Sequence, residues 1–202
     1  MNRMNSLGLI LGGGAAVVAS ASLAQSADPA SGTIEALNKG LLSIMHAGAA
    51  AGQSGRARQI APVIDRAFDV PLMTRLAVGP SWTRMTPADQ SALVAAFRSL
   101  TIAQYAKNFD GFSGERFTMN PQVETRGGDK LVRTTLVVPG SNPESLAYRL
   151  RQSGGQWKII DVYYRNSISQ LATRRADFAR TLASGGAKAL IAHLDALAAH
   201  PR

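Results

Sequence analysis

The chain reads as an α+β protein, with about four strands in a twisted antiparallel sheet wrapped by helices from both ends of the sequence. Three observations predict it. Apolar residues recur at helical spacing as far as Phe109. From Asp110-Gly111 the pattern changes to short segments divided by turn clusters, and helical spacing returns after Ser169.

Thr33 is the expected N-cap of a first helix running to about Ala51, with Ile34, Leu37, Leu41, Ile44 and Met45 on one face. The stretch Gly52 to Gly55 ends it, and a second helix bearing Ile60, Val63 and Ile64 closes at Phe68. Asp69 caps a short third helix, with Pro71 in its first turn and Gly79 past its end. Thr86-Pro87-Ala88-Asp89 is the clearest helix start. The hydroxyl can accept from an orphan amide, Pro87 fits the first helical position, and Asp89 favours the positive end of the dipole. Leu93, Phe97, Leu100 and Tyr105 mark one face of this long fourth helix.

Four strands are expected at Glu115 to Thr125 (interrupted by Pro121), Lys130 to Val138, Glu144 to Gln152 and Trp157 to Tyr164. Gly127-Gly128-Asp129, the run Pro139 to Pro143, and Ser153-Gly154-Gly155 supply the turns, so the strands form an antiparallel meander. Alternation is clean in the third strand, where Leu146, Tyr148 and Leu150 oppose Arg149 and Arg151. Ser169 opens a helix through Leu171, Phe178 and Leu182, and Gly185-Gly186 breaks it before a last segment with Leu190, Leu194 and Leu197.

The first residues read as an export leader. Arg3 precedes an apolar run from Leu7 to Val18, and Ser22-Leu23-Ala24 places small residues before a cut after Ala24. The run is shorter than the roughly 20 residues of a membrane span. The expected organisation is a leader over 1–24 and one domain over 25–202, helical over 33–109, sheet over 115–164 and helical over 169–198. The expected location is the periplasm, with no transmembrane segment in the mature chain.

The 202 residues contain no cysteine, which excludes thiol catalysis, thiolate metal sites, disulfides and a lipidated N-terminal cysteine. The formal charge is +9, and the leader carries only Arg3 of it. The basic residues are scattered and lack an RNA-binding aromatic signature, so no nucleic-acid partner is expected. The charge reads either as a solvated surface or as attraction to anionic lipid or an acidic protein face.

Reaction chemistry is sparse. His46, His193 and His200 have no partners at metal-ligand spacing. Gly111-Phe112-Ser113-Gly114 lacks the second glycine spacing of a hydrolase elbow and falls in a helix-to-strand loop. Paired carboxylates such as Asp161 with Asp69 or Asp110 are of the type that does acid–base work, but no third element supports them. No metal, cofactor or catalytic residue is expected.

Two segments carry a resemblance. In the run Phe68 to Phe109 the positions Phe68-Asp69, Met73, Arg75, Gly79, Trp82, Thr86-Pro87, Gln90, Phe97 and Tyr105 match the periplasmic lipid carriers of the toluene-tolerance, MlaC-like family. Trp157 to Phe178 matches at the family's spacing, and within the family the chain looks most like the hopanoid-associated HpnM branch. It departs at Arg165-Asn166, where the family has glycine, and at Pro71. Asn is the next-best residue for a left-handed turn. The resemblance implies an NTF2-like sheet with a helical layer and a deep apolar cavity. It also implies a phospholipid or hopanoid cargo, an inner-membrane transport complex as donor or recipient, and an acceptor protein or membrane.

With that cavity granted, alternation and helical stripes nominate its lipid-binding wall: Leu136, Leu146, Tyr148, Leu150, Val162 and Tyr164 from the sheet, and Leu72, Leu76, Phe97 and Tyr105 from the helices. Trp82 is either cavity wall or core plug, and Arg75 faces either a headgroup or Asp69. Asp161, mid-strand among apolar residues, must be paired or hydrogen-bonded, to a helix end or to Arg75. Two rivals stand beside the carrier. One is a ligand-free assembly module whose core is filled; the other is a small NTF2-like enzyme that would need an acid–base pair in the slot, with Asp161 the only candidate.

Overall fold

Asp28, not Thr33, opens the first helix. The computed structural model of the protein describes residues 28–201, and the expected leader over 1–24 lies outside them. Helix α1 (Pro29–Ala67) is capped by the Asp28 carboxylate, which accepts from the Ala30 amide and pairs with Lys130 at 2.5 Å. Thr33 instead donates its hydroxyl to the Trp157 carbonyl, tying the helix to the sheet.

Within α1 the backbone leaves helical geometry at Gly48 (φ 55°, ψ −151°) and Gly52 (φ 61°, ψ 173°), a region open essentially to glycine alone. The break therefore begins before the expected Gly52–Gly55 stretch and folds α1 into two arms. Side chains on the arms meet: Gln59 donates to the Ser43 hydroxyl at 2.7 Å, and a Cβ on Gly40 would sit 2.8 Å from Val63 Cγ1. Gly40→Ala should therefore destabilise the fold by about 1–3 kcal/mol through overpacking. Denaturant unfolding should show most of that loss restored by Val63→Ala in the double variant.

Helix α2 (Val70–Val78) starts where expected, with Asp69 Oδ1 accepting from the Leu72 amide and Gly79 (φ 67°) at its end. A 3₁₀ turn (Gly79–Arg84) leads to α3 (Pro87–Asn108), whose Thr86 hydroxyl accepts from the Asp89 amide. The sheet comprises β1 (Arg116–Met119), β2 (Glu124–Arg126), β3 (Asp129–Val137), β4 (Glu144–Ser153), β5 (Gln156–Tyr164) and β6 (Ile168–Ser169). Its order is β1-β3-β4-β5-β6, with β2 also on β3. Strands β1 and β2 are two halves of one edge strand, broken around Pro121, which cannot donate to the ladder. The two-residue β6 is too short to announce itself in sequence. It follows a tight turn in which Arg165 (φ 51°) and Asn166 (φ 57°) both take the left-handed conformation.

Helix α4 (Gln170–Ala199) is capped by Ser169 and bent at Gly186 (φ 65°). On the sheet's inner face the pairs Val132↔Tyr148, Leu150↔Ile159, Tyr148↔Val162 and Leu146↔Tyr164 stack across strands. One end of that face, with Val132, Leu150 and Ile159, belongs to the main core together with Ile34, Leu37, Ile60 and Ile64 of α1. The opposite face carries Arg149 and Arg151 around the buried carboxylate of Asp129, whose pKa their hydrogen bonds and charges, Arg151's foremost, hold below the ordinary carboxylate range.

Candidate functional site

The other end of the inner face is not filled. A cavity of about 320 Å³ lies there between the sheet and helices α2, α3 and α4. Its volume falls at the lower end of the roughly 300–1,000 Å³ of small-molecule sites. The sheet contributes Leu136, Glu144, Leu146, Tyr148, Val162 and Tyr164; Phe68 and Met73 come from the α1–α2 junction and α2. Helix α3 presents Phe97, Thr101, Gln104, Tyr105 and Asn108, one continuous helical face, and α4 presents Gln170, Leu171 and Arg174.

Aromatic rings set much of this wall. The Tyr105 ring stacks on Phe109 at 5.8 Å and meets Phe68 edge-on at 5.7 Å, while Phe97 is braced edge-on by Phe178 at 5.8 Å. Burial raises the Tyr148 phenol, and burial followed by the neighbouring Tyr148 raises that of Tyr105, so both remain neutral. The two phenols therefore add no charge to the cavity, and Glu144 is the one acid among the described residues on its sheet side.

Asp161 joins sheet to helix. Its buried carboxylate accepts from the Ser169 hydroxyl at 2.6 Å, the Leu171 amide at 3.0 Å and the Val162 amide at 2.8 Å. This is the helix-end role rather than a pairing with Arg75, which is exposed. Asp69 caps α2, so these two carboxylates serve helix ends. Trp82 packs half-buried against the core and receives the Gln90 side-chain amide on its carbonyl; it is a plug, not cavity wall. His46 lies against Phe112 with ring centroids 3.7 Å apart and the rings tilted by 33°, and His193 and His200 are exposed. Among the described residues no cluster of three or more His, Asp or Glu could hold a metal ion. No helix among them is long and apolar enough to cross a membrane.

Of the side chains nominated from sequence, Phe97, Tyr105, Leu136, Leu146, Tyr148, Val162 and Tyr164 converge on the cavity, and Leu72, Leu76 and Leu150 do not. Leu150 is on the expected face but wholly buried in the packed core. Helix α2 buries Val70, Met73, Thr74, Ala77 and Val78, a stripe one residue out of phase with Leu72 and Leu76, which are half-buried. Thr74 tolerates burial because its hydroxyl donates to the Val70 carbonyl at 2.8 Å. Sequence reasoning missed Phe68, Met73, Phe109 and Leu171, and the polar Thr101, Gln104, Asn108, Glu144, Gln170 and Arg174. Spacing from Phe97 and Tyr105 was the available signal for the α3 residues; no comparable signal marks the α4 residues.

A family model described as the MlaC protein matches residues 35–196. Comparison with curated protein sequences finds no match. Among solved structures, the phospholipid-binding protein from Ralstonia solanacearum, determined in complex with a phospholipid, aligns with a TM-score of 0.71 at 25% identity, covering 85% of this chain and 98% of its own.

Proposed function

Because the chain belongs to the MlaC family, we propose that it is a lipid carrier: it sequesters the apolar part of one phospholipid in the cavity between β3–β5 and α3 and carries it between membranes. The observation that carries this reading is the cavity itself, about 320 Å³ lined mainly by apolar side chains, in the fold shared with a protein solved with phospholipid bound. A filled assembly module would leave no such void beside Leu146, Val162 and Tyr164. Each methylene moved from water into such a slot contributes about 0.8 kcal/mol, enough to hold a lipid without any covalent step. Release then requires a recipient that competes for the lipid or opens the slot.

The reading extends to location and partners. Export through a leader cut after Ala24 puts the carrier in the periplasm, between an inner-membrane transport complex and an acceptor protein or membrane. Membership of the hopanoid-associated HpnM branch would make a hopanoid the cargo.

Mass spectrometry of lipids that co-purify with the protein, isolated without detergent from its native source, tests the reading. A stoichiometric phospholipid is the expected result. A hopanoid instead would assign the branch. Protein free of lipid and unable to extract any from phospholipid vesicles would overturn the carrier and favour the assembly module.

A further inference from the structure

Polar side chains gather on one side of the cavity. Thr101, Gln104 and Asn108 of α3 and Gln170 and Arg174 of α4 face the apolar sheet wall across the void. Arg174 is the only cation among the described lining residues, and Glu144 the only acid. The Glu144 carboxylate has its own cation, Arg165, at 3.7 Å. Arg175, next in sequence, turns away, its guanidinium lying about 3.4 Å from where a Cβ on Gly79 would be.

Arg174 is partly buried, and its guanidinium makes one hydrogen bond among the described residues, to Gln104 Oε1 at 2.5 Å. No carboxylate among the described residues lies within ion-pair distance of it. A guanidinium offers five donors in a planar fork, so most of this one is unspent. Removing a cation from water without an opposite charge is unfavourable, and a cavity is an unusual place to leave one. Burial pushes the group below the ordinary arginine range, Asp177 opposing, yet arginine stays charged in proteins.

We propose that Arg174, oriented by Gln104, is an anion subsite that takes the phosphate oxygens of the lipid headgroup at the α3–α4 side of the cavity. Fork-to-phosphate pairing is the geometry that a guanidinium serves best. The inference rests on the carrier reading and sharpens it: the cargo is a phosphate-bearing lipid, and a neutral polycyclic lipid leaves the arginine unmatched. Free inorganic phosphate presents the same chemistry and has to be separated from a headgroup.

The test offers the full mature protein equal amounts of phosphatidic acid and of diacylglycerol with identical acyl chains, and reads the bound ratio by native mass spectrometry. The wild-type protein should favour phosphatidic acid by about tenfold or more, the size of a charge-assisted hydrogen bond. Arg174→Gln should bring the ratio close to one, and Arg174→Lys should keep part of the preference. Equal uptake by the wild-type protein overturns the subsite whether or not the variants fold, and so does a preference that survives Arg174→Gln. Calorimetric titration of lipid-free protein with inorganic phosphate separates the sources: saturable phosphate binding without a lipid preference overturns the headgroup assignment. Uptake of neither lipid would overturn the carrier reading beneath it.

Discussion

Val162→Trp should yield a folded protein that has lost most of its lipid. Val162 is half-buried on β5, paired with Tyr148 and turned into the cavity. An indole there extends into a void of about 320 Å³ rather than into packed neighbours, so it removes much of the space a lipid chain needs. Lipid per protein, measured by mass spectrometry after detergent-free purification, should fall about tenfold or more. That corresponds to displacing only two methylenes from apolar surroundings. Stability should change by less than about 1 kcal/mol because little is displaced. Leu150→Trp is the contrasting control. It lies on the same sheet face but is wholly buried in the core, so the added volume should destabilise the fold by about 1–3 kcal/mol or more. Wild-type lipid occupancy in Val162→Trp would move the binding site elsewhere.

Arg56→Met should lower stability more than any surface change. Arg56 is only 5% exposed, and its guanidinium donates to the Gly48 carbonyl at 2.7 Å and the Ala106 carbonyl at 2.9 Å. Gly48 is where α1 breaks, and Ala106 lies in the last turn of α3, whose carbonyls lack helical partners and form the negative end of its dipole. One side chain thus pins the fold-back of α1 to the end of the helix that lines the cavity. Methionine keeps the apolar stem and deletes both donors. One buried and one half-buried carbonyl left unpaired, at about 1–3 kcal/mol each, predict a loss of about 3 kcal/mol. A domain of this size should then melt about 6–12 °C lower. A shift of a degree or less would mean that the pin is not holding the break.

Local chemistry made much of this fold legible. The caps at Asp69, Thr86 and Ser169 appear where the sequence places them, because a short polar side chain before a helix acts on amides two or three residues away. The start of α1 was hidden for the opposite reason. Asp28 sits in a Ser/Ala/Pro/Gly stretch that reads as loose, and its Lys130 partner lies 102 residues on. Alternation located the sheet wall of the cavity, but periodicity cannot say where along the face the packing stops. That boundary falls between Leu150, wholly buried in the core, and Leu146, which is half-buried and lines the cavity. The rotation of α2 was harder to read: Arg75 marks its exposed side, but Leu72 and Leu76 beside it are as apolar as the buried Met73. Contacts outside the helix choose Met73, among them the Asp69 amide donating to the Ile159 carbonyl. Arg174 was seen only as part of a dispersed positive charge, because burial, not residue type, singles it out.

Helix α4 carries its cavity and core residues in different turns, Phe178 already belonging to the core before the bend at Gly186. Its cavity residues, Gln170, Leu171 and Arg174, all fall in the first five positions, whereas Leu190 and Leu194, wholly buried in the core, lie beyond the bend. Mutations that reshape the pocket-facing turns need not disturb the segment that anchors the helix. Within one element, a lineage could drift toward a different cargo while its thermal tolerance stays under separate selection.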